Sequence, residues 1–256
     1  MHLFDTHCHL DVAAFDADRD QVLSDCRQSG IQHILVPAIE RKTWSSLANL
    51  CTDNAMLHLA LGLHPVFMAK HSPDDVAALK QAVQRYQPIA IGEIGLDFYI
   101  DNPDKPAQLE LCEAQLEVAV EHDLPVVLHV RKAHEDMLGL LKRINVKGGF
   151  VHAFNGSLQQ AQRYRDQGFC FGFGGTLTYE NAHKIHRLAR ELPLEAIVLE
   201  TDAPDMVVTQ HQGERNSPAY LPLCLQALSE LRQQDATLLA EQTTRNAFTV
   251  LGMESA

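Results

Sequence analysis

Eight short apolar, β-rich runs recur along the chain at a spacing of roughly 28 residues, the length of one strand, one loop and one helix. They begin near Leu3 (LFDTHCHL), His33 (HILVPAI), Leu57 (LHLALGLH), Ile89 (IAIGEIGLD), Pro125 (PVVLHVR), Gly148 (GGFVHAF), Phe169 (FCFGFGG) and Ile197 (IVLETDAP). Strands alternating with helices call for a parallel sheet, because a parallel neighbour is reached only through a crossover. Eight units are the number that closes on itself, so the expected fold is a single α/β (β/α)8 TIM barrel. An open doubly wound sheet is the competing arrangement, and the missing glycine-rich phosphate loop after the first run weakens it. With 256 residues and no break in composition, the whole chain, 1–256, reads as one barrel domain.

The segments between the runs carry helix signals. Ser72-Pro73-Asp74-Asp75 offers an N-cap, a first-turn proline and early acids, followed by Val76, Leu79 and Val83 at helical spacing. Ser157 with Gln160 makes a capping box, and Gly168 ends that helix. Leu109, Cys112, Leu116 and Val120 form a stripe expected to pack on the barrel. Asp205 to Pro218 reads as a loop over the barrel mouth.

Composition narrows the function classes. No apolar run approaches the roughly 18 residues needed to cross a bilayer. The start, Met1-His2-Leu3-Phe4-Asp5, lacks the basic and then apolar stretch of a signal peptide. A cytoplasmic monomer without a membrane partner is therefore expected. Six scattered cysteines contain no C-x-x-C pair, so reduced, mostly buried thiols are expected rather than structural zinc or a redox dithiol. Lys and Arg total 21 against 33 acids, a net charge of −12 with no basic tract. That balance argues against tracking a long duplex.

His7-Cys8-His9 carries the strongest chemical signal. In extended chain, residues i and i+2 face the same way, so both imidazoles can reach one metal while Cys8 points away. The pair sits at the C-terminal end of the first strand, where barrels of this type place their reactive groups. Glu93, His129, His152 and Asp202 close the fourth, fifth, sixth and eighth runs at the same edge. Each alone has a bland reading, a satisfied core histidine or a capping aspartate. Together, from five strands, they read as one metal centre. Four imidazoles and two carboxylates suit divalent ions such as magnesium, zinc or manganese, with a carboxylate free to bridge two. Two ions about 3.5–4 Å apart can clamp the attacking and leaving oxygens of a phosphoryl displacement. Cys8 is read as a packed strand residue rather than a nucleophile.

The motifs Asp5-Thr6-His7-Cys8-His9-Leu10, Gly62-Leu63-His64-Pro65, Ile91-Gly92-Glu93-Ile94-Gly95-Leu96-Asp97, Leu128-His129-Val130-Arg131, Val151-His152-Ala153-Phe154 and Leu199-Glu200-Thr201-Asp202-Ala203-Pro204 occur in order over nearly the whole chain. With Arg215-Asn216 and Thr244-Arg245-Asn246-Ala247 they resemble the TatD family of metal-dependent deoxyribonucleases. Ala203-Pro204-Asp205-Met206 resembles its YjjV-like branch. The resemblance implies a barrel of the amidohydrolase-like kind that hydrolyses DNA phosphodiesters, often from the 3′ end. It implies that His7, His9, Glu93 and Asp202 hold one metal and that Glu93 bridges to a second held by His129 and His152. Asp202 would orient or deprotonate the attacking water, and His64 would contact the scissile phosphate or leaving group. A turn-capping role is the alternative for His64. Glu200 would support the ligands from behind. Arg131 and Arg215 would bind phosphate, with a surface salt bridge as the alternative for each.

Few basic or aromatic residues are evident around the cleft, so the reaction class is better marked than the substrate. DNA ends or single-stranded DNA fit an acidic protein with a locally positive site, and a small phosphoester is the other candidate. An amide or lactone hydrolase is the rival enzyme, although many of those bridge with a carboxylated lysine where this chain has Glu93. A metal-binding protein without activity is the remaining rival.

Overall fold

In the computed structural model, which describes residues 2–254, one residue from each of eight strands meets in a single buried layer. The strands are β1 (Leu3–Asp5), β2 (Ile31–Pro37), β3 (Leu57–Leu61), β4 (Ala90–Asp97), β5 (Val126–Arg131), β6 (Gly149–Val151), β7 (Phe169–Phe173) and β8 (Ile197–Leu199). Their contributions are Phe4, Leu35, Ala60, Ala90, Val127, Phe150, Cys170 and Val198. Large side chains (Phe4, Leu35, Phe150) and small ones (Ala60, Ala90, Cys170) share the lumen, as a filled barrel requires.

All strands pair in parallel in chain order, β1 to β8. The gap between the last and first is bridged just past the strand ends. Thr6 N–H and its hydroxyl both donate to the Leu199 carbonyl at 3.0 Å. The Asp5 carboxylate, 0 % exposed, accepts from Thr201 Oγ1 at 2.6 Å and from the Thr201 and His7 amides. The ring is a nearly closed barrel, with these bonds standing where a strand ladder would be.

Helices α1 (Arg19–Gln28), α2 (Trp44–Asp53), α3 (Asp75–Tyr86), α4 (Lys105–Glu121), α5 (His134–Arg143), α6 (Leu158–Arg165), α7 (His183–Glu191) and α8 (Leu221–Arg232) wrap the outside. The last helix, α9 (Ala236–Leu251), turns Ala247, Phe248 and Leu251 into the lumen layer and closes the N-terminal end. Ser157 and Gln160 form the expected capping box at α6, and Gly168, at φ +82°, ends the turn that follows.

Three details differ from the sequence reading. Helix α3 starts at Asp75, because Ser72 pairs with the Asp75 carboxylate through its amide (2.9 Å) and hydroxyl (2.8 Å), leaving 73–74 as a turn. On α4 the packed face passes through Leu116 and Ala119, while Val120 is 46 % exposed. At 3.6 residues per turn, step 3 or step 4 satisfies the same stripe, and the smaller residue took the tight place. The loop after β8 contains two short 3₁₀ turns and is pinned by buried Asn216, whose amide donates to the Thr201 and Asp205 carbonyls.

Below the lumen layer, His33 and His58 lie two residues before Leu35 and Ala60 and share their face. Their rings are hydrogen-bonded at 2.9 Å and pack on Phe4, with Phe248 edge-on to His33. Burial, and then the neighbouring ring, lowers the His58 pKa to about 4. The unfolded chain therefore binds this proton more tightly than the fold does. The pair contributes stability that is complete above about pH 6.5 and is lost as pH falls from there toward 4. His58→Gln is expected to narrow the gap between urea midpoints measured at pH 7 and pH 5. An unchanged gap would mean that the pair does not titrate on unfolding.

Candidate metal centre

The period of two that fills the lumen also builds the site. Two residues beyond Val127, Phe150 and Val198 stand His129, His152 and Glu200, on the same face and nearer the C-terminal mouth. On β4 a register shift between Ile91 and Ile94 resets the alternation, so that Glu93, Gly95 and Asp97 share the inward face. Gly95 is a steric necessity, because a Cβ there would lie 2.0 Å from the His129 carbonyl. His7 and His9 follow β1, which ends at Asp5, and still aim both Nε2 atoms at one point, 3.2 Å apart.

Glu93 is at the centre, 1 % exposed. Its two oxygens serve two groups of donors. Oε2 lies 3.2 Å from His7 Nε2 and 3.3 Å from His9 Nε2. Oε1 lies 3.2 Å from His129 Nδ1, 3.3 Å from His64 Nε2 and 3.9 Å from His152 Nε2. Asp202 spans the two groups, with Oδ1 3.7 and 3.6 Å from the His7 and His9 nitrogens and Oδ2 3.8 Å from His152 Nε2. All six expected ligands, and His64, meet in one place.

Hydrogen bonds on the outer side of the rings set where the protons are. His9 Nδ1 donates to the Pro37 carbonyl (3.2 Å), His129 Nε2 to Asp97 Oδ2 (2.9 Å) and His152 Nδ1 to Glu200 Oε1 (3.1 Å). In the neutral ring each of these bonds leaves the inner nitrogen with a lone pair toward Glu93. His64 is wired the other way. Its Nδ1 accepts from the Val66 amide at 3.1 Å, so in the neutral ring Nε2 carries the hydrogen and is a donor rather than a ligand. The turn-capping role and the site-facing role are both present in this residue.

The electrostatics follow. Burial alone would raise the Glu93 carboxyl, but His64, His7 and His129 hold it well below the usual carboxylate range. Burial opposes charge on His9, yet Glu93 and Asp202 outweigh it and raise the ring to about 9. At His152, burial is likewise outweighed by Glu200 and Asp202, and the pKa rises to about 10. His64 falls to about 4, with burial dominant, and stays neutral. Two carboxylates among imidazoles thus call for positive charge at the centre, from protons or a cation. The spacings suit a cation. Donors about 2.1 Å from one ion stand roughly 3.0–3.4 Å apart at octahedral to tetrahedral angles. The edges measured among His7, His9, Glu93 and Asp202 run from 3.2 to 3.7 Å.

The centre opens into a cavity of ≈ 340 Å³ at the barrel mouth. A larger hollow of ≈ 470 Å³ between α7 and α8 holds no comparable cluster of donors. Of the two arginines, Arg131 is exposed on the rim with its guanidinium 4.0 Å over Tyr99. Arg215 pairs both terminal nitrogens with Asp18 at 2.9 and 2.7 Å, the salt bridge that the sequence offered as the alternative. The six thiols are free, and five of them are buried. Among the described residues, no helix is long and apolar enough to cross a membrane.

The motif Ile91–Asp97 assigns Asp97 no role by itself, and its spacing of four from Glu93 on one strand is the signal that points to the site. Glu200 packs into a place where Gly172 leaves room, since a Cβ there would lie 1.9 Å from Glu200 Oε2.

A parallel barrel with convergent imidazoles and carboxylates at its C-terminal mouth defines a metal-dependent hydrolase. Comparison with known proteins carries this further. The family model described as TatD related DNase matches residues 4–252, and the chain belongs to that family. The uncharacterized metal-dependent hydrolase YjjV of Escherichia coli K12 is 39% identical, over 97% of each chain. Its crystal structure superposes with a TM-score of 0.94, covering 98% of each chain. The 3′-5′ ssDNA/RNA exonuclease TatD of Erwinia tasmaniensis is 32% identical, over 96% of this chain and 98% of its own.

Asp97→Ala is expected to lower turnover by roughly ten- to a hundredfold, the usual cost of losing the partner that orients a ligand histidine. Asp97→Asn, whose carbonyl oxygen accepts the same hydrogen bond, should restore most of it. Equal losses in both variants, with unchanged circular dichroism, would remove Asp97 from this role.

Proposed function

We propose that this protein is a phosphodiesterase that releases nucleotides from the 3′ end of single-stranded DNA, working with two divalent cations. The observation that carries the reading is the division of donors around Glu93, one oxygen toward His7 and His9 and the other toward His129 and His152. In it, His7, His9, Glu93 and Asp202 hold one cation, and Glu93, His129 and His152 hold the other. Magnesium, zinc and manganese all suit the set. Such a pair, when bound, lowers the pKa of water from about 15.7 toward about 7 and offsets charge on a phosphoryl group.

The chain's own groups do the rest. Asp202 keeps 15 % of its side chain exposed, against 2 % for Glu93, so it is the carboxylate a water can reach, and it takes the proton. His64, neutral and with its hydrogen on Nε2, donates to a phosphoryl or leaving oxygen. Glu200, Asp97 and the Pro37 carbonyl hold the ligand rings in one tautomer. Arg131, held over the Tyr99 ring, meets a neighbouring phosphate at the rim.

The single-stranded, end-on substrate fits the charge. Two cations against Glu93 and Asp202 leave about two positive charges at the site, while distant acids are screened beyond a Debye length of about 8 Å. The named activity of the Erwinia tasmaniensis relative supports the same class. Six free thiols agree with work in the reducing cytoplasm.

Glu93→Ala is expected to lose bound metal and fall to background activity while keeping its secondary structure. Metal content by mass spectrometry and release of nucleotides from a labelled single-stranded oligonucleotide measure both. Normal turnover would overturn the bridging role. His64→Ala should keep its metal yet turn over roughly a hundredfold more slowly, the cost of one donor aimed at developing charge. Wild-type turnover in that variant would leave His64 as a turn cap only.

A further inference from the structure

The mouth of the barrel is chemically lopsided. Beside the donors, its cavity is walled by Val12, Ile39, Val66, Phe67 and Pro204, with Asp205 the one further acid at its edge. These come from the segments that follow β1, β2, β3 and β8, and those strands are consecutive around the ring once Thr6 and Leu199 close it. One arc of the rim is therefore apolar, and it borders the metal centre directly. Val66, at 39 % exposure, is a large apolar side chain held in the open there.

Phe67 is the flat element of this arc. It lies in the 3₁₀ segment Pro65–Lys70, at a kink (φ −100°, ψ 27°) three residues after His64. Its ring centroid is 5.6 Å from that of His64, the residue that turns an N–H toward the centre. Lys70 stands over the ring at 4.4 Å but does not line the cavity, whereas Phe67 lines it and is only half-buried, so part of Phe67 is open to a ligand there.

We propose that Phe67, with its apolar neighbours, is a base-binding subsite that holds one unpaired nucleobase next to the scissile phosphate. This rests on the phosphodiester reading above and gives it a substrate preference. A volume of ≈ 340 Å³ is at the small end for ligand sites, room for a single nucleotide unit rather than a base pair. An aromatic ring stacks on the face of any base, so the subsite tolerates sequence. A base already paired in a duplex must first be freed, so the subsite favours frayed or single-stranded ends. Apolar contact also supplies affinity that does not depend on counterion release, which suits a chain of net charge −12.

The test uses the metal-loaded full chain and three 5′-labelled single-stranded oligonucleotides. One is unmodified, and the other two carry an abasic residue at the last or the penultimate position. For the wild type, one of the abasic probes should show KM raised roughly tenfold with kcat little changed, the mark of a lost ground-state contact. Phe67→Ala should show that same loss on the unmodified probe and none beyond it on the sensitive abasic probe. Phe67→Trp should bind the unmodified probe as the wild type does, with circular dichroism and metal content equal in all three proteins.

Wild type that handles all three probes alike would overturn the subsite and leave the phosphodiester reading standing. So would a Phe67→Ala loss that multiplies with base removal. Wild type inert on every probe would end both.

Discussion

A carboxylate with almost no access to water needs compensating charge on every side, and Glu93 is the group around which the rest of this barrel is arranged. An ionised carboxylate buried without partners is too costly to keep. Here His64, His7 and His129 hold it ionised, and its two oxygens face two separate sets of rings. Four of the five rings are held by what engages the far nitrogen, His7 Nδ1 being the exception. Pro37, Asp97 and Glu200 take the outer protons of His9, His129 and His152, and the Val66 amide reverses the arrangement at His64. Candidate metal ligands and a hydrogen-bond donor are thus made from one residue type by what stands behind each ring.

The barrel supplies that precision through a simple repeat. Side chains alternate in and out along each strand, so the layer Val127, Phe150, Val198 leads two residues later to His129, His152 and Glu200. The shift in β4 resets the alternation there and delivers Glu93 and Asp97 to the same face. Closure between β1 and β8 rests on Thr6, Asp5 and Thr201, which also carry the backbone that leads to His7 and Asp202. Fold and site share these contacts, so damage to the seam would reach both.

Charge and function are reconciled by scale. The protein as a whole repels a polyanion, but the centre is local, recessed and built to hold cations. Near it, the rim offers an apolar arc and one exposed arginine stacked on Tyr99. On the function proposed above, such a mouth suits one nucleotide at a time better than a groove that follows a duplex.

By itself, the sequence determined the barrel and the six residues that meet at its mouth. Strand positions, helix caps such as Ser157–Gln160 and the ring of His7, His9, Glu93, His129, His152 and Asp202 are all readable, because period, spacing and residue chemistry are local properties. The details that escaped it depend on partners from other strands and loops. The choice of Ala119 over Val120 on α4, the service of Asp97 to His129, the pairing of Arg215 with Asp18 and the place of Phe67 beside the metal centre are of this kind. Tertiary structure decided them because a hydrogen bond or a packed face needs a second group at the right distance. Strand pairing and the closing of the ring bring residues 36 to 196 positions apart to within a few ångströms.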